Sequence, residues 1–179
     1  MAASSRDGNF EAVVLPHLDA AHNLARWLMR DSAAAEDVLQ EAMLRALTYF
    51  SSFRGTNPRG WLLQIVRNTA YSALKPEHAV ALVPIAAEAE PGAIAEDELV
   101  SAEADPETAL IDAQGRRRAV RLIASLPLEL RETLVLRELE ELSYKEIAEI
   151  TRTPIGTVMS RLWRARRMVV AAAAREPAR

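Results

Sequence analysis

Arginines stand at 161, 164 and 167 near the C-terminal end of the chain, with Thr157 and Ser160 in the turn before them. A guanidinium takes the paired acceptors of guanine or grips a phosphate, and short hydroxyls bond bases or phosphates, so this set points to duplex DNA. Such chemistry needs a rigid rod that turns all five side chains one way. Ile155, Val158, Leu162, Ala165 and Val169 recur at 3-4-3-4 spacing, which predicts a helix with those residues toward a core. Thr157, Ser160, Arg161 and Arg164 then lie on the opposite face, with Arg167 beside them.

The element before this helix is equally specific. Ser143-Tyr144-Lys145-Glu146 reads as a capping box, in which the serine hydroxyl and the glutamate each satisfy an orphan amide at a helix start. Ile147, Ala148 and Ile150 follow as the inward side, and only Thr151-Arg152-Thr153 separates them from a restart at Pro154. Two helices joined by about three residues, the second basic, form a helix-turn-helix whose second helix enters the major groove. Tyr144 and Lys145, at the start of the first, are placed to meet a phosphate. A basic terminal helix alone is most simply a solvated face; cap, short turn and basic helix together carry the DNA reading. If Arg152 is left-handed in the turn, a non-glycine residue there costs about 1 kcal/mol.

Other chemistry has little support. The chain has no cysteine, which excludes disulfides, thiolate metal sites and a cysteine nucleophile. His17, His22 and His78 show no metal-ligand spacing, and there is no glycine-rich phosphate loop, so neither an enzyme nor a metal or other cofactor is expected. A polar start and the lack of any apolar run of roughly 20 residues predict a protein that is neither secreted nor inserted in a membrane. A cytoplasmic location is expected.

The formal charge of -3 hides three blocks of +1, -10 and +6, over residues 1–75, 76–113 and 114–175. The middle block has Pro76, Pro84, Pro91, Gly92 and Pro106, ten carboxylates, no Lys or Arg and no sustained apolar period, so a flexible acidic linker is expected there. A short helix around residues 102–114 that extends the second domain is the alternative at its C-terminal end. The flanking blocks are read as two small helical domains, 1–75 and 114–179. In the first, Phe10, Val14, Leu18, Ala21, Ala25 and Leu28 mark a helical stretch that Pro16 interrupts. A second helix begins after Asp31 or Ser32, with Glu36 and Asp37 in its first turn and Val38, Leu39, Ala42, Met43, Ala46, Leu47 and Phe50 inward. Asn57 caps a third, with Pro58 at its first position and Trp61, Leu62, Ile65, Val66, Thr69 and Ala70 along one face. In the second domain, arginines 116–118 sit on a helix to Ser125, and another runs from Pro127 to about Glu138 with Leu130, Leu134 and Val135 inward. The fold class is all-α.

Leu126-Pro127, Leu134, Leu136-Arg137, Ser143 to Ala148, Thr153 to Leu162 and Arg164-Ala165-Arg166 closely resemble the promoter-reading C-terminal domain of bacterial sigma factors of the extracytoplasmic-function (ECF) group. Ala35 to Glu41, Ala46, Phe53-Arg54-Gly55, Trp61-Leu62, Ile65 and Arg67-Asn68 match the same group independently. The resemblance implies an alternative sigma factor that binds core RNA polymerase, opens the minus-ten element of promoter DNA with its first domain and reads the minus-thirty-five element with its second. It implies polymerase binding by Glu36, Asp37, Gln40, Glu41 and Arg45. It also implies that residues 53–58 and the helix after them capture a flipped base and the melted strand. Arg54, Thr56, Asn57, Arg59, Arg67, Asn68, Tyr71 and Lys75 are the candidates there; Trp61 is assigned to core packing. Ser72 and Lys75 depart from the aspartate and arginine common in the group. A monomer when free, held down by an anti-sigma factor and released by stress, is expected. The rival readings are a helix-turn-helix repressor or activator and a sigma-like adaptor that binds only an anti-sigma protein.

Overall fold

A computed structural model describes residues 3–75 and 106–175, and these residues form helices, turns and loops without a strand. Helix α1 spans Ala3–Val14, and Pro16, which cannot donate to the preceding turn, sits in a single 3-10 turn, Leu15–His17. The chain resumes as α2, Leu18–Met29, which buries Ala21, Leu24, Ala25, Trp27 and Leu28. Asp31 accepts from the Ala34 amide at 2.7 Å and starts α3, Ser32–Tyr49. That start puts Glu36 and Asp37 in the second turn and not the first, so their expected role as helix-start charges is corrected.

Buried residues of α3 are Ala35, Val38, Ala42 and Ala46, while Leu39, Met43 and Phe50 are partly covered. Leu47 departs from the expected stripe and is exposed. The cap and proline predicted for the third helix are both present: Asn57 accepts from the Gly60 amide at 2.9 Å, and α4 runs Pro58–Ala73. Glycine at position 60 leaves room for the capping side chain, since a Cβ there would meet Asn57 Nδ2 at 2.7 Å and push it aside. Helices α2, α3 and α4 pack against one another as a three-helix bundle.

The expected linker lies outside the described residues as far as residue 105. From Pro106 the chain is helical: α5 spans Pro106–Ala124, so the last eight residues of the expected linker belong to a helix of the second half. Helices α6, Leu128–Glu138, α7, Tyr144–Thr151, and α8, Ile155–Arg175, complete it. Arg118 donates to the Ala173 carbonyl and ties α5 to the end of α8. Along α8, Val158, Leu162 and Ala165 are buried and Val169 is partly covered. Ile155, expected inward, is exposed, and the covered stripe of α8 begins at Val158.

Helix α6 is buried continuously from Leu130 to Leu136, with Arg131, Glu132 and Thr133 included. It packs on α8 and α7 within its own half and on α2 of the other, and α4 packs on α7. The two halves thus share one contiguous apolar cluster.

The turn from α7 to α8 places Arg152 at φ 53°, ψ 43°, the left-handed conformation. Arg152→Gly should therefore stabilise the chain by about 1 kcal/mol, read as a higher urea midpoint at unchanged helix content. An unchanged or lower midpoint would show that the arginine side chain compensates for the strain.

Candidate nucleic-acid interface

The first helix of the helix-turn-helix is locked by its capping box. Ser143 Oγ accepts from the Glu146 amide at 3.3 Å, and the Glu146 carboxylate accepts from the Ser143 amide at 2.9 Å and its hydroxyl at 2.7 Å. These bonds, the backbone amide first, hold the Glu146 carboxyl below its ordinary range. Lys145 is exposed, whereas Tyr144 is half-buried with Arg137 over its ring at 5.3 Å.

On α8, Ser160, Arg164 and Arg167 share the exposed face, and Arg167 lies over the Trp163 ring at 4.6 Å. Thr157 is half-buried, and its carbonyl accepts from Ser160 Oγ at 3.0 Å. Arg161 is turned elsewhere. Its guanidinium pairs with Glu129 on α6 at 2.7 Å, and its side chain is only 11% exposed. Arg166 pairs with Glu138 of the same helix at 2.6 Å.

A second cluster surrounds the start of α4. Phe53 stacks on Phe50 and meets Trp61 at a tilt, with the Phe53 and Trp61 centroids 4.9 Å apart, and these contacts clamp the loop to the bundle. Trp61 is half-buried in that cluster, in line with a packing role. Arg54 braces the loop by donating to the Ser51 carbonyl at 2.5 Å and the Phe53 carbonyl at 3.1 Å. A cleft of about 440 Å³ opens beside it, floored by residues 52–57 and Trp61 and walled by Glu146, Glu149 and Ile150 of α7. Thr56, Asn57 and Lys75 are exposed and Asn68 is half-buried.

Arg59, Arg67 and Tyr71 face the other half of the molecule. Arg59 pairs with Glu140 at 2.6 Å, and Arg67 pairs with Glu132 at 2.6 Å while lying 4.2 Å over the Tyr71 ring. The Tyr71 hydroxyl donates to Glu132 at 2.9 Å. Burial pushes the Glu132 carboxyl up, against the pull of Arg67 and Tyr71, and burial followed by the Glu132 charge pushes the Tyr71 phenol up.

Along α3, Glu36, Asp37, Gln40, Glu41 and Arg45 are all exposed, with an i,i+4 pair between Glu41 and Arg45 at 2.6 Å. Leu44, Leu47 and Tyr49 are exposed on the same helix. A charged face interleaved with uncovered apolar side chains is suited to a protein surface. Among the described residues no group of three or more His, Cys, Asp or Glu gathers to hold a metal, and no helix is long and apolar enough to cross a membrane.

Sequence reasoning missed the residues that bridge the halves. Arg131 donates to the carbonyls of Ala124, Leu126 and, across the divide, Leu28 at 3.2 Å. Asn23 donates to Glu140 at 2.5 Å, and Gln64 to the Glu149 carbonyl at 3.2 Å. The available signal was the pair Arg131-Glu132 inside a leucine-rich helix.

A helix-turn-helix with an exposed basic helix, beside a bundle that presents a polar cleft, defines a DNA-directed transcription protein. Residues 13–78 match the family Sigma-70 region 2, and residues 116–169 match Sigma-70, region 4. The ECF RNA polymerase sigma-E factor of Escherichia coli K12 is 36% identical over 157 residues, covering 83% of this chain and 79% of the relative. That of Haemophilus influenzae is 35% identical over 152 residues, covering 82% and 77%. The fold is similar to that of the sigma factor RpoE in its complex with the anti-sigma factor NepR from Bartonella quintana, with a TM-score of 0.72 at 24% identity over 94% of this chain and 99% of that one. It is also similar to CnrH in complex with the cytosolic domain of CnrY, with a TM-score of 0.63 at 20% identity over 98% and 96%. The chain belongs to the ECF family of RNA polymerase sigma factors, and is accordingly a transcription-initiation factor and not an enzyme.

The lowered carboxyl of Glu146 has a testable consequence. A depressed folded-state value stabilises the protein above the ordinary carboxyl range, and that contribution disappears as pH falls through the folded-state value. The stability difference between the native chain and Glu146→Gln should thus be constant near neutral pH and shrink below about pH 4.5, the ordinary value. A difference independent of pH, measured by urea unfolding, would remove the carboxylate from the cap.

Proposed function

We propose that this sigma factor divides promoter recognition between its halves, with α8 reading the upstream minus-thirty-five element as duplex and α4 with its preceding loop holding the opened minus-ten strand. The observation that carries this reading is the presence, in one chain and in order, of a region 2 bundle with a polar cleft and a region 4 helix-turn-helix with a basic outer face. Ser160, Arg164 and Arg167 meet the groove or its phosphates, Lys145 and Tyr144 meet a flanking phosphate, and Thr157 and Arg161 join once Arg161 leaves Glu129. The cleft between loop and α4 takes an unstacked base, with Asn57, Thr56, Arg54 and Asn68 about it. Arg59, Arg67, Tyr71 and Lys75 follow the strand.

Core RNA polymerase docks on α3 through Glu36, Asp37, Gln40, Glu41 and Arg45, the exposed Leu44, Leu47 and Tyr49 supplying the apolar contact. The protein works in the cytoplasm, and a protein partner of the anti-sigma type restrains it. The similar sigma factor RpoE, solved in complex with the anti-sigma factor NepR, supports that last part. Residues 76–105 are assigned to join the two binding functions.

The test is transcription in vitro with core polymerase and a promoter library. It should yield initiation at one promoter class; failure to bind core polymerase without any inhibitor present would overturn the proposal. On a promoter so identified, Arg164→Ala should weaken upstream duplex binding by about 1–3 kcal/mol if the side chain pairs with guanine, and relax base preference there. Asn68→Ala should leave the upstream footprint intact and lower permanganate reactivity of the melted region, with a pre-melted bubble restoring part of the loss. Identical failure of both variants on both readouts would contradict the division of labour.

A further inference from the structure

Two large apolar side chains stand in water on the helix that carries the basic face. Met159 is 50% exposed and Trp163 is 59% exposed. Neither belongs to the covered stripe of α8, which runs through Val158, Leu162 and Ala165. Each is instead followed by an exposed polar residue, Met159 by Ser160 and Trp163 by Arg164. Two successive turns of α8 therefore present one apolar and one polar side chain next to each other. Arg167 lies 4.6 Å over the Trp163 ring, which covers one face of the indole and leaves the rest open. Residues 155–175 contain no Asp or Glu, so this surface is suited to a polyanion.

A purely apolar partner would leave Arg164 and Arg167 without counter-ions, and a purely ionic one would leave Met159 and Trp163 in water. A groove walled by phosphates with apolar groups on its floor meets both. In the major groove that apolar group is the methyl on C5 of a pyrimidine. We propose that Met159 and Trp163 form a reading site for pyrimidine C5-methyl groups, set between the polar contacts of Ser160 and Arg164. This rests on the assignment of α8 to the upstream duplex. Thymine supplies the methyl in unmodified DNA and 5-methylcytosine supplies it in methylated DNA, so the same two side chains make promoter choice sensitive to cytosine methylation. Covering one methyl changes affinity about fourfold, enough to rank otherwise equal promoters.

The test uses the full chain assembled with core RNA polymerase on the promoter that the library yields, with base changes confined to the upstream element. Two pairs of fragments differ only in C5-methyl groups. The first carries thymine or deoxyuridine; the second carries cytosine or 5-methylcytosine at the same positions, each opposite guanine. The methylated member of each pair should bind about fourfold more tightly for every methyl covered. In the Met159→Ala, Trp163→Ala variant the members of each pair should bind equally, and because both residues are exposed its helix content by circular dichroism should match the native chain. An upstream element without thymine, or equal binding of thymine and deoxyuridine by the native chain, overturns the inference and leaves duplex reading by α8 standing. So does an undiminished preference in the variant, which would trace it to DNA shape. A response to the thymine pair alone overturns the sensitivity to cytosine methylation. Loss of core polymerase binding by the variant would assign the two side chains to a protein surface and overturn the inference. Absence of any upstream footprint for the native chain overturns the duplex assignment and the inference with it.

Discussion

The arrangement of the molecule turns on one buried carboxylate. Glu132 lies fully inside α6, and removing such a charge from water costs several kcal/mol unless partners restore it. The partners come from the other half, as the Arg67 guanidinium and the Tyr71 hydroxyl, with Arg67 also stacked on the Tyr71 ring. Because a desolvated carboxylate tolerates little misplacement of its partners, this contact fixes how α4 lies against α6. The shared apolar cluster supplies bulk attraction without direction; the ionic contacts supply register. Arg131, next along α6, does the same for α2 by reaching the Leu28 carbonyl at the helix end.

Local features were readable from residues alone where one backbone need has one cheap solution. Asn57-Pro58 begins a helix, Ser143 with Glu146 caps another, Pro16 stops a third, and a three-residue turn at Arg152 forces the next helix across the last. Each is settled within a few residues of chain. What stayed hidden depends on neighbours far along the sequence. Periodicity on α6 marks Leu130, Leu134 and Val135 as inward but treats Arg131 and Glu132 as solvated, because it assumes a helix with one covered side. Covered by α2 on one flank and by α7 and α8 on others, α6 has no solvated side over those residues.

The same limit explains the misreadings at Ile155 and Leu47, apolar residues in phase with a core that ends before reaching them. It explains the candidate site as well. The positions of Ser160, Arg164 and Arg167 follow from helix geometry and stand exposed as expected, while the surroundings of Arg59, Arg67, Tyr71 and Arg161 are set by glutamates 32 to 81 residues away. At the C-terminal end of the expected linker the alternative reading, a helix that extends the second domain, describes the chain from Pro106. Composition does not change at Pro106, and the helix of the second half begins inside the acidic stretch.

The pairing of α8 with α6 bears on the salt dependence of the duplex contact proposed for α8. Of the five arginines on α8, Arg161 and Arg166 already face Glu129 and Glu138. Each phosphate neutralised on duplex DNA releases condensed counterions and adds about -0.9 to the slope of log affinity against log salt. An arginine that must first leave a glutamate uncovers an anion, which draws a cation back from solution and cancels part of that release. In the duplex contact proposed for α8, binding would therefore weaken less steeply with added salt than the charge count of the helix implies.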